Sequence, residues 1–291
     1  MQNLISKAAT LLEALPYIQR FRGQTFVIKY GGSFMDFPDD AVRSGVARDI
    51  VFLEAVGINP VIVHGGGKAI SRALQAAGLK SNFVQGHRVT DEQAVKLVDE
   101  VLSRQINPGL VKTIQSLGGK AQGFAGCDIF RCHKYYPQDA AGAKLDIGYV
   151  GEVVGVNAAP LQKCIAESCT PVISPTARSA DGKLYNCNAD VAAAQAAIAL
   201  RASRLVFMSD VPGLLRNAKD ASTVISQLRT AEVAGLKAKG VIDEGMIPKI
   251  DSAVTAIRAG VEKVSLVDGR TPHSLLLEIF TDAGVGTEVV L

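Results

Sequence analysis

The 291-residue chain contains no tryptophan, and its aromatic residues together make up only 5% of it. Proteins that bind single-stranded nucleic acid need aromatic side chains on which the bases stack, so this scarcity disfavours that class. The formal net charge is only +3, and no run of lysine and arginine is long enough to form a nucleic-acid-binding surface. We therefore expect any anionic ligand to be small and no nucleic acid to be a partner.

The chain also lacks a hydrophobic run long enough to cross a membrane. Its most apolar stretch, residues 191–208, is interrupted by Gln195, Arg201 and Arg204. The N-terminus is amphipathic and does not have the pattern of a cleaved signal peptide. These features predict a cytoplasmic protein without a membrane partner.

Cysteine is scarce too, and the odd number of five cysteines argues against a framework of disulfides. A zinc site is the alternative, because Cys127, Cys132 and His133 lie close together in the sequence. Cys164 and Cys169 repeat the same gap, but they lie in a predicted helix, where residues five positions apart face different directions. We expect buried free thiols and no metal site built by the protein.

Aliphatic residues are abundant, and hydrophobic residues make up 48% of the chain. Short apolar runs, glycine-rich turns and helical stretches alternate, which predicts an α/β fold with a parallel sheet. Strands are predicted at residues 26–28, 60–63, 171–174, 205–208 and 263–267. Helices are predicted at residues 4–15, 38–57, 91–117 and 161–167, and from Ala189 and Pro248 onward.

Some local signals refine this outline. Pro16 predicts a break or a fresh start in the N-terminal helix. Thr90 and Gln93 have the spacing of a capping box for the helix that follows. The glycines of residues 120–156 predict short hairpins that form a lid or pocket wall over the sheet. A boundary between two lobes is expected near Ala180.

Glycine-rich turns follow the first two predicted strands. Gly31 and Gly32 come after the first strand, directly behind Lys29, and residues 65–67 after the second are all glycine. Ligands of open α/β sheets bind beyond the carboxyl ends of the strands, where glycine lets backbone N–H groups approach an anion. These turns therefore favour a phosphate-binding crevice, with plain tight turns as the alternative.

Several familiar signatures are missing. Gly67 and Lys68 are followed by Ala69, so there is no Walker-type loop, and neither G-x-G-x-x-G nor the D-F-G of protein kinases occurs. His64 with its three glycines is similar to the oxyanion-binding stretch of esterases. No G-x-S-x-G turn accompanies it, which disfavours a hydrolase.

Polar residues cluster before the alanine-rich helix, at Asn186, Asn188 and Asp190. One of them is expected as a helix cap, but three within five positions exceed that need. Lys249 follows Pro248 at a predicted helix start, where the helix dipole disfavours a cation unless an anion is bound nearby. A surface lysine is the simpler alternative there.

Together these blocks resemble the amino acid kinase family. The resemblance covers residues 29–32, 64–67, 86–91, 186–190, 209–213 and 245–249, in this order. It implies a three-layer αβα sandwich with a mainly parallel central sheet. It also implies an oligomerisation helix at residues 1–20, an N-lobe at 21–180 that binds an acyl amino acid and dimerises, and an ATP-binding C-lobe at 181–291.

The resemblance also implies roles for individual residues. Lys29 and Lys249 match the lysines that stabilise the transferring phosphoryl group, and Asp190 matches the carboxylate that organises them. The implied substrate-binding residues are Gly66, Gly67, Arg88, Asn186 and Asn188. The implied nucleotide-binding residues are Gly31, Gly32, Ser209, Asp210, Val211, Pro212, Gly213, Leu214 and Met246. ATP would bring its own Mg²⁺.

Within the family, the resemblance is strongest to enzymes of arginine biosynthesis that phosphorylate the γ-carboxylate of N-acetyl-L-glutamate. Such a carboxylate has a pKa of about 4.3, so it is ionised at neutral pH and needs no general base. Lys68, Ala69 and His87 depart from the family pattern beside the substrate. The alternatives are therefore a carrier-linked aminoadipate kinase, a glutamate 5-kinase, a carbamate kinase, or an arginine-sensing protein without activity.

Residues 15–18 and 268–273 are similar to those of arginine-inhibited members of the family. In those enzymes an N-terminal helix joins dimers into a hexamer, and L-arginine binds between this helix and the C-lobe. This resemblance implies a hexamer assembled from dimers here, inhibited by arginine. The implied effector residues are Tyr17, His273, Glu278, Gly284 and Gly286.

Overall fold

A computed structural model describes residues 2–31, 40–139, 141–243, 245–282 and 284–291. Fourteen strands and eleven α-helices lie in these ranges. The strands are β1 (Thr25–Tyr30), β2 (Asn59–His64), β3 (Phe83–Val84), β4 (His87–Arg88), β5 (Ala121–Phe124), β6 (Phe130–Lys134), β7 (Val150–Val156), β8 (Thr170–Ile173), β9 (Thr176–Ser179), β10 (Leu184–Cys187), β11 (Arg204–Ser209), β12 (Gln227–Arg229), β13 (Lys263–Asp268) and β14 (Thr287–Val290). The helices are α1 (Gln2–Phe21), α2 (Asp40–Ala55), α3 (Gly67–Ala76), α4 (Glu92–Asp99), α5 (Asn107–Ser116), α6 (Gly126–Ile129), α7 (Ala159–Ala166), α8 (Ala189–Ala199), α9 (Val233–Ala238), α10 (Ile247–Arg258) and α11 (Ser274–Phe280).

The central sheet has eight strands in the order β12-β14-β13-β11-β1-β2-β8-β5. All neighbours run parallel except β13 and β14, which are antiparallel. The prediction of a mainly parallel sheet is therefore confirmed. The carboxyl ends of β1, β2 and β11 lie side by side, because Tyr30 is in register with His64 and Lys29 with Phe207.

Helices cover both faces of this sheet, which makes three layers. Side chains of β1 alternate between the faces, as strand geometry requires. Val27 packs into a core with α7, α8 and α10. Phe26 and Ile28 pack on the opposite face, against α2, α5 and α11.

Strands β6, β7, β9 and β10 form a small closed barrel beside the sheet. The sequence predicted hairpins over the sheet end in this region, and the antiparallel pair β6–β7 is one of them. The closure of the barrel was not predicted. It arises because β10 pairs with both β7 and β9. The predicted lobe boundary near Ala180 falls between β9 and β10 and remains a prediction.

The structure corrects the prediction that Pro16 breaks the N-terminal helix. Helix α1 continues through Pro16 to Phe21. Proline removes one helical hydrogen bond, to the carbonyl of Leu12, and this turn is exposed so that water can bond the carbonyl instead. No helix in the described part of the chain is both long and apolar enough to cross a membrane.

The predicted helix over residues 91–117 is present, but its start and its middle differ from the expectation. The cap is Asp91, whose carboxylate accepts a hydrogen bond from the N–H of Ala94 at 2.8 Å, and not Thr90. The hydroxyl of Thr90 instead donates to the carbonyl of Arg88. Between α4 and α5 the helix widens into the π-helical segment Glu100–Ile106.

The cysteines are free thiols, and all except Cys169 are buried, as expected. The Sγ of Cys164 donates a hydrogen bond to the backbone carbonyl of Cys169 at 3.3 Å. Among the described residues, no three metal-ligating side chains lie close enough together to hold a metal ion.

Candidate active site

Three charged side chains meet at the carboxyl edge of the central sheet. Lys29 lies near the end of β1, Asp190 in the first turn of α8 and Lys249 in the first turn of α10. The Nζ atoms of both lysines lie 3.0 Å from Oδ1 of Asp190. The structure thus brings the three candidate catalytic residues together, with one carboxylate holding two ammonium groups.

Burial and charge together set the protonation of this cluster. Burial alone would raise the pKa of Asp190, but the charges and hydrogen bonds of Lys249 and Lys29 outweigh it and lower this pKa to about 2. Burial lowers the pKa of Lys249 to about 8, although the charge of Asp190 opposes this shift. At neutral pH the cluster therefore has a net positive charge, as a binding site for phosphate needs.

Two helix starts hold the cluster in place. The side chain of Asn188 caps α8, because its Oδ1 accepts hydrogen bonds from the N–H groups of Asp190 at 2.8 Å and Val191 at 3.3 Å. Pro248 occupies the first turn of α10, where its missing N–H has no cost. Both helices therefore begin beside the cluster and add the positive ends of their dipoles to it.

The first glycine turn lies partly within the described residues. Gly31 is buried at the end of β1, whereas Gly32 lies outside the described residues. The second turn begins close by, because the N–H of Gly65 donates to the carbonyl of Tyr30 at 2.8 Å. Within the described residues, the start of the first turn at Gly31 and the start of the second at Gly65 are thus adjacent at the sheet edge, as the sequence predicted.

Gly66 lies against the π-helical segment. A Cβ atom on Gly66 would be 2.6 Å from Cδ2 of Leu102 and 2.7 Å from Cδ1 of Ile106. A larger residue here would therefore require the side chains of Leu102 and Ile106, or the turn itself, to shift. Gly67 follows as the first residue of α3.

Arg88 is buried beneath the second glycine turn. Its Nη2 donates to the carbonyl of Gly67 and to Oγ of Ser71, both at 3.0 Å, and its Nη1 donates to Oγ of Ser81. The guanidinium also lies over the ring of Phe83, 4.6 Å from its centroid. These contacts orient a planar cation next to Gly67, beside the predicted substrate donors.

The two asparagines of the polar cluster have different environments. Asn186 lies on β10, and its Nδ2 donates to Oγ1 of Thr90 at 3.3 Å, which connects it to the strand of Arg88. The Oδ1 of Asn188 is used by the helix cap. Its side chain also lines a cavity of about 560 Å³ between the barrel and helices α8 and α10.

This cavity has the size of a small-ligand site. Polar residues on its wall include Gln85, His87, Tyr135 and Glu152. Burial lowers the pKa of His87, whose ring lies 4.6 Å from that of Tyr135. Among the described residues, the lysines of the charged cluster are not on its wall, so the cavity adjoins the cluster at α10 and does not contain it.

The predicted nucleotide-binding loop begins where β11 ends. Ser209 is the last residue of β11, and its hydroxyl donates to the carbonyl of Val211 at 3.4 Å. The N–H of Leu214 donates to Oγ1 of Thr287 at 2.8 Å. Gly213 has a φ of 145°, and a Cβ atom there would lie 2.6 Å from the same hydroxyl. The loop is therefore anchored to β14.

Other predicted nucleotide-binding residues are more accessible. Asp210 is exposed, while Val211 and Pro212 are partly exposed. Met246 is partly buried and packs on the core at the start of α10. The structure thus places these candidates just after β11 and at the start of α10.

The predicted effector residues form a second cluster around α11. Glu278 is buried, and its Oε1 accepts from Oγ of Ser265 at 2.7 Å and lies 3.2 Å from Nζ of Lys263. Its Oε2 accepts from the N–H of Val285 at 3.0 Å. The adjacent Gly284 has a φ of 61°, and a Cβ atom there would lie 2.7 Å from Oε2 of Glu278.

The remaining effector candidates lie on both sides of this helix. The hydroxyl of Tyr17 donates to Oδ1 of Asp282 at 2.6 Å, which ties α1 to the end of α11. His273 precedes α11 in a left-handed conformation, with Nδ1 2.6 Å from Oδ1 of the buried Asp49. Gly286 packs against β13, where a Cβ atom would overlap the carbonyl of Leu266.

Sequence reasoning missed several residues that shape these sites. Lys249 lies over the ring of Phe207, with its Nζ 5.1 Å from the centroid. Ser71 and Ser81 hold Arg88, and Asp49 holds His273. Phe207 was recognisable only as part of an apolar strand, and no sequence pattern distinguishes the serines or Asp49 from ordinary helix and loop residues.

Comparison with known proteins identifies the family. The sequence model of the amino acid kinase family matches residues 24–268, which is most of the chain. The chain belongs to the amino acid kinase family. The matched range includes Lys29, Asp190 and Lys249, so the charged cluster is part of a kinase fold.

Among characterised amino acid kinases, the chain is similar to acetylglutamate kinases over its whole length. It is 47% identical over 292 aligned positions to the acetylglutamate kinase of Carboxydothermus hydrogenoformans. This alignment covers 99% of each chain. It is 46% identical to the acetylglutamate kinase of Akkermansia muciniphila, with 99% of this chain and 97% of that protein covered.

Solved structures show the same fold. The N-acetylglutamate synthase of Neisseria gonorrhoeae complexed with coenzyme A and N-acetyl-glutamate has a TM-score of 0.84 and 25% identity, over 98% of this chain and 63% of that chain. The same synthase complexed with coenzyme A and L-arginine has a TM-score of 0.80 and 25% identity, over 97% of this chain and 65% of that chain. The present chain thus spans less than two thirds of the synthase. Carbamate kinase from Giardia lamblia bound to AMP-PNP shares the fold at 14% identity, with a TM-score of 0.65 over 92% of this chain and 98% of that chain.

Proposed function

We propose that the protein transfers the γ-phosphoryl group of ATP to the γ-carboxylate of N-acetyl-L-glutamate, which forms an acyl phosphate in arginine biosynthesis. The observation that carries this proposal is the cluster in which Asp190 holds Lys29 and Lys249 at 3.0 Å each. The similarity of the whole chain to acetylglutamate kinases supports this choice of acceptor.

Repulsion is the main obstacle to this reaction, because an anionic carboxylate must attack a polyanionic triphosphate. Phosphoryl transfer gains its rate from positioning and from charge stabilisation. Lys29 and Lys249 supply two fixed cations for the charge that develops on the transferring group. Asp190 keeps these cations close together, although they repel each other, and thereby prepares the site before the substrates bind.

The acceptor needs no general base, since its carboxylate is already ionised at neutral pH. It does need to be oriented. We assign this role to Arg88, Asn186 and Asn188. The backbone N–H groups of Gly66 and Gly67 are further donors at the reacting end of the substrate, where the γ-carboxylate receives the phosphoryl group. Arg88 is suited to orienting the substrate because its guanidinium can bind a carboxylate through two parallel hydrogen bonds when the carboxylate replaces Ser71 and Ser81 as its partner.

The nucleotide would lie over the C-lobe, on residues 209–214 and near Met246. Among the described residues, metal-ligating side chains are not grouped into a site, and Asp190 already contacts two ammonium groups. The donor set therefore fits a Mg²⁺ ion coordinated mainly by the phosphates of ATP. When bound, this ion would neutralise part of the phosphate charge.

A substrate panel tests the proposal directly. The purified full chain is assayed for ATP-dependent acyl phosphate formation with N-acetyl-L-glutamate, glutamate, aspartate, carbamate and aminoadipate derivatives, with hydroxylamine to trap the product. We expect the highest kcat/KM with N-acetyl-L-glutamate. A higher value with any other acceptor would reassign the substrate, and no phosphorylation of any acceptor would contradict kinase activity.

We further propose that the enzyme is a cytoplasmic hexamer, assembled from dimers, that L-arginine inhibits. Its likeness to a synthase complexed with L-arginine supports arginine binding. Glu278 offers a buried carboxylate for a guanidinium, and Tyr17 brings α1 next to it. Glu278→Gln tests the effector site, since it should abolish inhibition by arginine while turnover without arginine persists.

A further inference from the structure

His64 is a fully buried polar residue next to the glycine turn, and the reaction as described above does not use it. It is the last residue of β2. Its Nδ1 lies 3.0 Å from the carbonyl oxygen of Gly65, and its Nε2 lies 3.2 Å from Nδ2 of Asn107. A buried imidazole therefore lies between the glycine turn and the first residue of α5.

These two contacts determine which ring nitrogen has the proton. A carbonyl oxygen only accepts, so Nδ1 of His64 must donate, and an amide nitrogen only donates, so Nε2 must accept. The amide of Asn107 cannot be flipped, because its Nδ2 also donates to the carbonyl of Val172 at 2.8 Å. Burial lowers the pKa of His64 to about 4, which agrees with a neutral ring.

Both backbone polar groups of Gly65 are consequently fixed. Its N–H donates to the carbonyl of Tyr30 at 2.8 Å, and its carbonyl accepts from His64. A trans peptide is planar, so the N–H of Gly66 must point away from the Gly65 carbonyl. Within the described residues, this N–H donates to no backbone carbonyl, and it is available to a ligand.

The π-helical segment supports the same peptide from the other side. Its residues Leu102 and Ile106 fill the space in which a side chain of residue 66 would lie. Asn107, which orients His64, follows Ile106 directly. Single π-helical turns occur often at functional sites, and here this segment places Leu102 and Ile106 against Gly66 and the next residue, Asn107, against His64.

We propose that His64, oriented by Asn107, is a positioning residue that directs the N–H of Gly66 at the transferring phosphoryl group. This inference rests on the proposed function, because it requires a phosphoryl group beside the glycine turn. A donor that is already aimed at developing charge does not have to reorganise during the reaction. His64 thus acts on catalysis through the Gly65–Gly66 peptide, without touching either substrate.

Two substitutions of His64 separate its two hydrogen bonds. Glutamine reaches the position of Nε2 and keeps the contact with Asn107, but it places no donor at Nδ1. Asparagine places its amide near Nδ1 and can still donate to Gly65. We expect His64→Gln to lower kcat by about tenfold to a hundredfold, because a small misplacement of a catalytic donor has effects of that size. The KM for ATP should stay the same.

The conservative variant and a control distinguish positioning from general damage. His64→Asn should retain most of the wild-type turnover. The control is His133→Gln, at an exposed position, which should leave kcat unchanged. Thermal unfolding of each variant reports whether the fold persists. Wild-type turnover in His64→Gln, or an equal loss of kcat in the glutamine and asparagine variants, would overturn the proposal.

Crystal structures test the positioning role of His64 independently of the proposed function. If the wild-type enzyme does not phosphorylate N-acetyl-L-glutamate, the proposed function is wrong, and crystal structures then test the positioning alone. We expect the Gly65 carbonyl to be rotated in His64→Gln relative to the wild type. An identical orientation of this carbonyl in both structures would overturn the inference.

Discussion

The ammonium group of Lys249 lies 3.0 Å from the carboxylate of Asp190, and each residue is in the first turn of its own helix. A lysine at a helix N-terminus is unfavourable, because the dipole there repels a cation. The carboxylate offsets this cost in the free enzyme. A bound phosphate would offset it further, which explains why a nearly fully buried lysine is placed here.

We expect Lys249→Met and Lys29→Met each to lower kcat by about a hundredfold or more, because each removes a fixed cation from the transition state. Circular dichroism should show an intact fold. Lys239→Met, at an exposed position, serves as the control and should retain full activity. Near-normal turnover in either test variant would contradict the assignment of the cluster as the catalytic centre.

The protonation of Lys249 should be visible in the pH profile. Its pKa is lowered to about 8, so the cation that attracts phosphate is present below pH 8 and is lost as the pH rises above it. We expect kcat/KM for ATP, which reports the free enzyme, to fall about tenfold per pH unit above pH 8. The alkaline limb of kcat should lie at higher pH, because bound ATP favours the charged lysine.

Lys249→Arg checks that this alkaline limb belongs to Lys249. Arginine stays charged throughout this range, so its kcat/KM profile should lose the limb even if turnover is lower. A limb at the same pH in this variant would assign the titration to another group.

The same pKa shifts predict how stability depends on pH. Asp190 has a pKa of about 2 in the folded state, below its unfolded value of 3.8, so its contribution is present above pH 3.8 and is lost as the pH falls towards 2. We expect Asp190→Asn to lower the free energy of unfolding at pH 7 by about 3 kcal/mol, since it leaves two cations facing each other without a partner. At pH 9 the loss should be smaller, because Lys249 is then mostly neutral. Urea unfolding of the variant and the wild type at pH 7 and pH 9 measures this loss.

Arg88→Lys should mainly raise the KM for the acyl amino acid. An ammonium group cannot grip a carboxylate through two parallel hydrogen bonds, and losing one charge-assisted bond of about 1.5 kcal/mol corresponds to about tenfold. The KM for ATP should change little. Initial-rate kinetics with each substrate varied in turn check this, and an equal rise in both KM values would place Arg88 outside the acyl amino acid site.

The exposed leucines of α1 offer a test of the proposed hexamer. Leu11 and Leu12 are 69% and 67% exposed in the single chain, an unusual cost for two adjacent leucines unless another subunit covers them. We expect Leu11→Asp with Leu12→Asp to convert hexamers into active dimers in light scattering. Gln19→Asp, which adds one negative charge at an exposed position of the same helix without removing a leucine, should remain hexameric. A wild-type chain that is dimeric would contradict the proposed assembly.

Much of the fold was predictable because the central strands are buried on both faces and therefore appear as continuous apolar runs. The runs at residues 26–28 and 205–208 predicted β1 and β11, and the glycines that follow β1 and β2 marked the edge where the site lies. The meeting of Lys29 and Asp190 followed only from the family resemblance. No local pattern relates two residues so far apart in the chain.

Other features could not be predicted from the sequence, each for a physical reason. The capping box at Thr90 was wrong because Asp91, one residue later, caps the helix instead, and its carboxylate accepts the hydrogen bond from the N–H of Ala94. The π-helical segment has only seven residues, too few for its longer period to be distinguished from that of an ordinary helix in the sequence. The partners of Arg88 are serines whose positions depend on how α3 and the β3–β4 hairpin pack.

The closed barrel has a practical meaning for anyone who wishes to divide this protein. Strand β10 lies after residue 180 and completes a barrel whose other three strands, β6, β7 and β9, all lie before it. A fragment that ends at residue 180 would therefore expose the unpaired edges of β7 and β9, which are surfaces prone to aggregation. Split-protein reporters or separately expressed halves of this chain should regain their native structure only when both pieces are present together.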